Sequence, residues 1–204
     1  MNKQHIAIAL DELAQIDADV ARALESVGLP EPRIRPQGFE TLLSTIVSQQ
    51  ISTEAAKAIM GRVLALLPEP SSAAILNIED QALRDAGLSF RKIEYAKGLA
   101  KAIQSGSLDI TRLAAASNEE AIEIITALRG FGRWSAEIYL MFSLQREDVF
   151  PANDLALQVA LRRLKNLDHK PTPSQARTLI QHWSPRRSVG ALFLWHYYRG
   201  APNT

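Results

Sequence analysis

The sequence predicts an all-α fold of about ten helices, and three observations support this prediction. Apolar residues recur at helical spacing, as from Ile6 to Leu24, where acidic residues occupy the other faces. Capping residues stand at the ends of such stretches, and no stretch shows the period-two alternation of a half-buried strand. With 204 residues, of which 47% are hydrophobic, the chain is long enough to bury its own core.

Glycine, proline and capping residues set the expected helix boundaries. The first helix is expected to run unbroken from about Ile6 to Leu24 and to end at 28–30, a Gly-Leu-Pro sequence. A strongly apolar helix over 39–47 follows, and the next helix is expected to begin after Ser52.

Later boundaries depend on three serine residues. Ser89 is expected to cap the helix over 93–103. Ser117 and Glu120 form the sequence pattern of a capping box. Ser184 precedes a proline and is expected to cap the last helix.

Charge is distributed unevenly along a chain whose formal net charge is only +1. Residues 1–150 hold 15 basic and 20 acidic residues, whereas residues 151–204 hold 8 basic and 2 acidic residues. A second group of basic residues lies at Arg84, Arg91, Lys92, Lys97, Lys101, Arg129 and Arg133. Such asymmetry is typical of a surface that binds an anion, and a solvated charged face is the alternative.

Several classes of protein are excluded by composition. The chain has no cysteine, which excludes a disulfide scaffold, a thiolate zinc site, a cysteine-ligated iron–sulfur cluster and a cysteine nucleophile. No apolar run approaches the ~20 residues of a membrane span, and no secretory signal is recognisable. We therefore expect a cytoplasmic protein, nucleoid-associated if bacterial, without a membrane partner. No metal is expected, because His182 and His196 lack further ligands at suitable spacing.

The most informative segment is residues 128–136, which contains two glycines one residue apart, Gly130 and Gly132. It lies between a capped helix over 118–128 and an apolar helix over 134–143. Glycine permits a positive φ or a close backbone approach, and the first amides of the second helix can then bind a phosphate. A simple glycine-rich connection between helices is the alternative.

Three further features accompany this hairpin. Asp154 precedes an apolar helix, where it is either a functional carboxylate or only an N-cap. Gln49 and Gln50 end the apolar helix over 39–47, where the alternative is a pair of exposed amides in a turn. Trp134 and Trp195 lie in apolar helical stretches, so core packing is the alternative for both.

In this order and spacing, these features resemble the helix-hairpin-helix DNA glycosylases, the HhH-GPD superfamily, over roughly residues 36–200. The closest resemblance is to the alkylbase (3-methyladenine) DNA glycosylase II branch. It implies a single glycosylase domain over 1–204, in which two helical lobes flank a DNA-binding cleft. Lobe one covers about residues 38–145, and lobe two covers about residues 1–37 and 146–204.

The resemblance also implies roles for individual residues. Asp154 matches the essential aspartate of the family, and Trp134 and Trp195 match aromatic positions of the base pocket. Contacts with DNA are implied for residues that match the hairpin and the side chain inserted in place of a flipped base: Gln50, Gly130, Gly132 and Arg133.

Two departures from the wider superfamily narrow the expected chemistry. No lysine lies between Lys101 and Lys165, and Trp134 occupies the position of the lysine nucleophile of strand-cutting relatives. The iron–sulfur cluster of several relatives is excluded because the chain has no cysteine. The family also implies a monovalent cation bound by hairpin carbonyls, which would lie near Thr126, Leu128 and Phe131.

The expected activity is that of a monofunctional DNA glycosylase in base excision repair. It would act as a monomer on double-stranded damaged DNA, flip out bases of the 3-methyladenine and 7-methylguanine class, and hydrolyse the N-glycosidic bond. Pocket positions that are usually aromatic in the alkylbase branch are Ile138 and Leu155 here, which leaves the lesion open. A glycosylase for another damaged base and a non-catalytic DNA-binding module are the alternatives.

Overall fold

The computed structural model describes residues 1–200, and all regular structure within them is helical. The prediction of an all-α fold is therefore confirmed. The chain forms two compact units. The discontinuous unit consists of Met1–Ile34 and the chain from Leu140 onward, and the central unit is Arg35–Tyr139.

The helices are distributed over both units. The discontinuous unit contains α1 (Lys3–Ile16), α2 (Ala18–Val27), α11 (Leu155–Leu164), α12 (Pro173–Leu179), a 3₁₀ segment (Gln181–Trp183) and α13 (Arg187–Gly200). The central unit contains α3 (Phe39–Val47), α4 (Thr53–Ala65), α5 (Ser72–Leu76), α6 (Asp80–Asp85), α7 (Phe90–Gln104), α8 (Ile110–Ala115) and α9 (Asn118–Thr126). The next helix, α10 (Arg133–Phe142), begins in the central unit and continues past Tyr139.

One apolar helix organises the core of each unit. In the discontinuous unit α13 packs on α11, α1 and α2, and every residue from Ser188 to Trp195 is buried. In the central unit α7 packs on α3, α5 and α6 and buries Ile93, Ala96 and Leu99. The period of the apolar residues in the sequence matches these buried faces.

Most of the expected capping residues act as predicted. The hydroxyls of Ser52 and Ser89 accept from the backbone N–H three residues later, at the starts of α4 and α7. Ser117 and Glu120 form a reciprocal capping box at the start of α9. These bonds satisfy backbone donors that lack an intrahelical partner.

The prediction of one unbroken first helix is wrong, because the chain forms α1 and α2 with Asp17 between them. Asp17 has an extended backbone (φ −142°), and its carboxylate accepts from the N–H groups of Asp19 and Val20. The same carboxylate binds side chains of distant residues, which stabilises the break in a way that helical periodicity does not show.

The prediction for Ser184 is also wrong. Helix α13 begins at Arg187, and Ser184 instead ends the 3₁₀ segment. Its hydroxyl donates to Asp148 at 2.8 Å, so it is not available to cap the helix.

The estimate of about ten helices is too low for the described chain, which has thirteen α-helices. The break at Asp17 contributes one, and α5, α6 and α8 have only five or six residues each. A helix of fewer than two turns is too short to show a period in the sequence. Between residues 1 and 200, no helix has the length and apolar composition needed to cross a membrane.

Candidate active site and DNA-binding hairpin

The two glycines between α9 and α10 serve different purposes. Gly130 has a φ of +93°, and a Cβ placed there would lie 2.3 Å from Cδ2 of Tyr95. Gly132 has no positive φ, and a Cβ there would have nothing within 4 Å. Gly130 is therefore required by the turn and by the tyrosine ring, whereas the space at Gly132 would admit a side chain.

A concave surface that encloses an open pocket of about 500 Å³ lies beside the hairpin in the central unit. It is lined by Gln49, Gln50, Ser89, Arg91, Lys92, Tyr95, Gly130, Gly132 and Ser135. Helix α10 begins at this surface, and the first amides of a helix have no intrahelical acceptor. The surface therefore combines a helix N-terminus with basic side chains, a combination that favours phosphate.

Gln50, the residue expected to insert in place of a flipped base, lies on this surface in an exposed turn with a φ of +58°. The turn is held by its neighbours: Gln49 Nε2 donates to the carbonyl of Gly130 at 2.7 Å. Lys92 Nζ donates to the carbonyls of Val47 and Gln49 at 2.7 and 2.8 Å. Gln49 and Lys92 thus join the Gln50 turn to the hairpin and to α7.

The predicted residues of α10 differ in their surroundings. The guanidinium of Arg133 binds Glu137 at 3.0 Å and Glu119 at 3.1 Å, so a phosphate would have to compete with two carboxylates. The next residue, Trp134, is 42% exposed, which excludes the alternative of core packing. Its side chain is partly exposed on the surface of the central unit.

Asp154 lies in the discontinuous unit as the N-cap of α11. Its Oδ1 accepts from the N–H of Leu157 at 3.0 Å. The preceding loop is fixed by further bonds: Asp154 N–H donates to Pro151, and Gln158 Nε2 donates to the carbonyl of Ala152. The carboxylate is therefore held in place before any substrate arrives.

Trp195 lies against this carboxylate. Its Nε1–H donates to Asp154 Oδ1 at 3.2 Å, and its ring lies 5.8 Å from the ring of Phe142. Only 8% of Trp195 is exposed. The indole is therefore packed in the core and also contacts the candidate catalytic group.

Several of the basic residues predicted to form an anion-binding surface are paired with acidic residues of their own unit. Lys165 binds Asp17 and Asp19, Arg186 binds Glu12 and Glu147, and Arg187 binds Asp148. In the central unit Lys97 binds Asp80 and Arg129 binds Glu94. The excess of basic residues in 151–204 thus partly balances acidic residues earlier in the chain, and it overstates the positive surface.

Comparison with known proteins assigns the chain to a family. The profile of the HhH-GPD superfamily, described as base excision DNA repair proteins, matches residues 43–186. The chain belongs to this superfamily. The resemblance inferred from the hairpin, Gln50 and Asp154 is therefore confirmed.

Relatives with the HhH-GPD fold cover nearly the whole chain. DNA-3-methyladenine glycosylase 1 of Schizosaccharomyces pombe is 33% identical over 190 residues, which are 90% of this chain and 83% of that protein. The structure of S. pombe 3-methyladenine DNA glycosylase (Mag1) in complex with abasic DNA matches with a TM-score of 0.86 at 32% identity, covering 96% and 98% of the two chains. DNA-3-methyladenine glycosidase from Bacillus halodurans matches with a TM-score of 0.84 at 34% identity, covering 93% and 88%.

Two residues that support the site in this HhH-GPD chain, Tyr95 and Phe142, were not predicted as parts of it. Gln49 was noted as the neighbour of Gln50, and Lys92 was noted as a member of the basic group. Their hydrogen-bond acceptors are backbone carbonyls of distant residues, which the sequence does not indicate. No group of three or more potential ligand side chains suited to a metal ion occurs in residues 1–200.

Proposed function

We propose that this chain is a monofunctional DNA glycosylase that removes alkylated bases of the 3-methyladenine and 7-methylguanine class from double-stranded DNA. The observation that supports this most strongly is the placement of Asp154. Its carboxylate is fixed at the start of α11 by the N–H groups of Leu157 and Trp195, in a chain whose relatives are named 3-methyladenine glycosylases.

The proposed reaction requires little acid catalysis. Alkylation at N3 of adenine or N7 of guanine makes the base cationic, so the C1′–N bond breaks with both electrons going to the base, which leaves neutral. Positive charge then develops on the sugar, and the carboxylate of Asp154 stabilises it. Water adds to C1′, its proton passes to Asp154 or to solvent, and an abasic sugar remains.

DNA binding is proposed to involve the hairpin and the turn that supports Gln50. Extrusion of a nucleotide from the duplex costs a few kcal/mol. The α10 N-terminus beside Gly132 would hold a backbone phosphate, and Gln50 would fill the gap left in the stack. Trp134, which is exposed, would contact the extruded base, because an indole face attracts a cation by about 0.5–2 kcal/mol.

The proposal excludes strand cleavage through a lysine of the hairpin. By the family resemblance Trp134 stands where strand-cutting relatives have a lysine, and Lys92, which lines the same pocket as Gln50, donates to two carbonyls. Treatment with borohydride during turnover would therefore trap no covalent complex between protein and DNA. A trapped complex would contradict the monofunctional assignment.

The experiment that tests the proposed function measures base release from duplexes carrying single lesions. We expect release of 3-methyladenine and 7-methylguanine, with heat- or alkali-labile abasic sites left behind. Excision of only a deaminated or oxidised base would support a glycosylase for another lesion. Binding with a steep salt dependence but without release of any base would support a DNA-binding module.

A further inference from the structure

The discontinuous unit contains two hydrogen bonds between a tryptophan N–H and an aspartate. Trp183 Nε1 donates to Asp17 at 2.7 Å, and Trp195 Nε1 donates to Asp154 at 3.2 Å. The first pair is buried, and neither of its residues has a role in the proposed reaction. The second pair includes the proposed catalytic carboxylate, so its geometry bears directly on the reaction.

The two donors described for Asp154 reach the same oxygen. Oδ1 accepts from Leu157 N–H, which belongs to α11, and from Trp195 Nε1, which belongs to α13. Rotation of the carboxylate about its Cβ–Cγ bond would move Oδ1 away from both donors. The donor from a second helix therefore adds to the restraint on the carboxylate plane and on the direction of the other oxygen.

The indole that supplies this second donor is itself restrained. The rings of Trp195 and Phe142 lie 5.8 Å apart at an angle of 38°, and the guanidinium carbon of Arg33 lies 5.9 Å from the Phe142 ring. Phe142 is buried, as are the residues of α13 from Ser188 to Trp195. The indole cannot turn away without disturbing this packing.

Little of the Trp195 ring is available for stacking. Its 8% exposure contrasts with 42% for Trp134, the other aromatic residue expected at the base pocket. A stacking platform needs an open ring face, whereas a hydrogen-bond donor needs only its N–H. The surroundings of Trp195 therefore favour the donor role.

We infer that Trp195 is a positioning residue, whose indole N–H orients the Asp154 carboxylate toward the sugar, and that it is not a wall of the base pocket. This inference rests on the proposed function. The N–H would be used in every turnover whatever the base, so its loss would slow release of 3-methyladenine and 7-methylguanine to the same extent.

The test compares Trp195→Phe with Trp183→Phe in single-turnover release of 7-methylguanine from a duplex. Phenylalanine keeps an aromatic ring and removes the N–H in both variants. We expect Trp195→Phe to release the base about 10- to 100-fold more slowly, as for a lost hydrogen bond to a charged group and a misplaced catalytic group. Trp183→Phe is expected to release it at the wild-type rate per folded molecule, and both are expected to bind a duplex with a tetrahydrofuran abasic analogue as tightly as the wild-type chain.

A double variant tests whether Trp195 acts through Asp154. If it does, Trp195→Phe combined with Asp154→Asn releases the base no more slowly than Asp154→Asn alone. If the two substitutions slow base release by factors that multiply in the double variant, or if Trp195→Phe alone releases the base at the wild-type rate, the inference is overturned. Either result leaves the proposed function intact. Absence of release by the wild-type chain would overturn the proposed function and the inference with it.

Discussion

Two aspartates of the discontinuous unit, Asp17 and Asp154, have nearly the same local structure and different surroundings. Each is the N-cap of a helix, and each accepts the N–H of a tryptophan. Asp17 is only 5% exposed and also binds Lys165 Nζ at 2.6 Å and His182 Nε2 at 3.0 Å. Asp154 is partly buried, and the two donors described for it are neutral N–H groups.

The difference shows how one motif can serve stability or chemistry. Burial raises the pKa of Asp17, but hydrogen bonds from Lys165, Trp183 and His182 outweigh burial and lower the pKa to about 2. Such a carboxylate stays ionised at neutral pH and is paired with the ammonium group of Lys165. At Asp154 the two donors described are backbone and indole N–H groups, which hold the carboxylate in position.

The comparison is tested most severely by replacing Asp17 with asparagine. Asparagine can still cap α2, but Lys165 loses one of its two carboxylate partners, Asp17 and Asp19. Loss of a partner from a buried ion pair costs about 3 kcal/mol, so urea unfolding at neutral pH should show a decrease of that size. Asp154→Asn is the matched control, with an expected change below about 1 kcal/mol. Equal losses in the two variants would mean that the aspartates do not differ in structural role.

Acid unfolding provides a second test, with a smaller expected effect. The pKa of Asp17 is about 2 in the folded chain against an ordinary value of 3.8. Its contribution to stability is therefore fully present above about pH 4 and is lost as the pH falls toward 2, which amounts to about 2 kcal/mol. The difference in unfolding free energy between the wild-type chain and Asp17→Asn should shrink by that amount over this range. Parallel curves would contradict the assigned pKa.

The smallest effect is expected for His182→Ala. The His182 side chain is 45% exposed, so its bond to Asp17 contributes about 0.5–1 kcal/mol. Thermal or urea unfolding at neutral pH would measure this loss, and the same change made in Asp17→Asn should have no further effect. A loss as large as that of Asp17→Asn would identify His182, instead of Lys165, as the main partner of the carboxylate.

The fold was largely predictable from local sequence signals. The capping serines and the apolar faces of α3 and α7 use residues close together in the chain, and the sequence therefore displays them. The break at Asp17 was not predictable in this way, because its partners Lys165 and Trp183 lie more than 140 residues away. The prediction that Ser184 caps the last helix was wrong for the same reason, because its hydroxyl binds Asp148, which lies far away in the sequence.

The residues of the candidate site were likewise predictable only where the signal is local in the sequence. Gly130 was predictable because a positive φ has a direct signature in the residue type. The contacts of Gln49, Lys92 and Trp195 were not, because each donates to an acceptor in another part of the chain. Side-chain charge alone also misled, since it could not show that basic residues such as Lys165, Arg186 and Arg187 have acidic partners.

The central claim is that Asp154 is the catalytic carboxylate of an alkylbase glycosylase. Its most direct test is the single-turnover rate of 7-methylguanine release by Asp154→Asn, which keeps the N-cap and removes the charge. We predict a rate at least about 100-fold below that of the wild-type chain, with unchanged affinity for an abasic duplex. Release at the wild-type rate would contradict the claim.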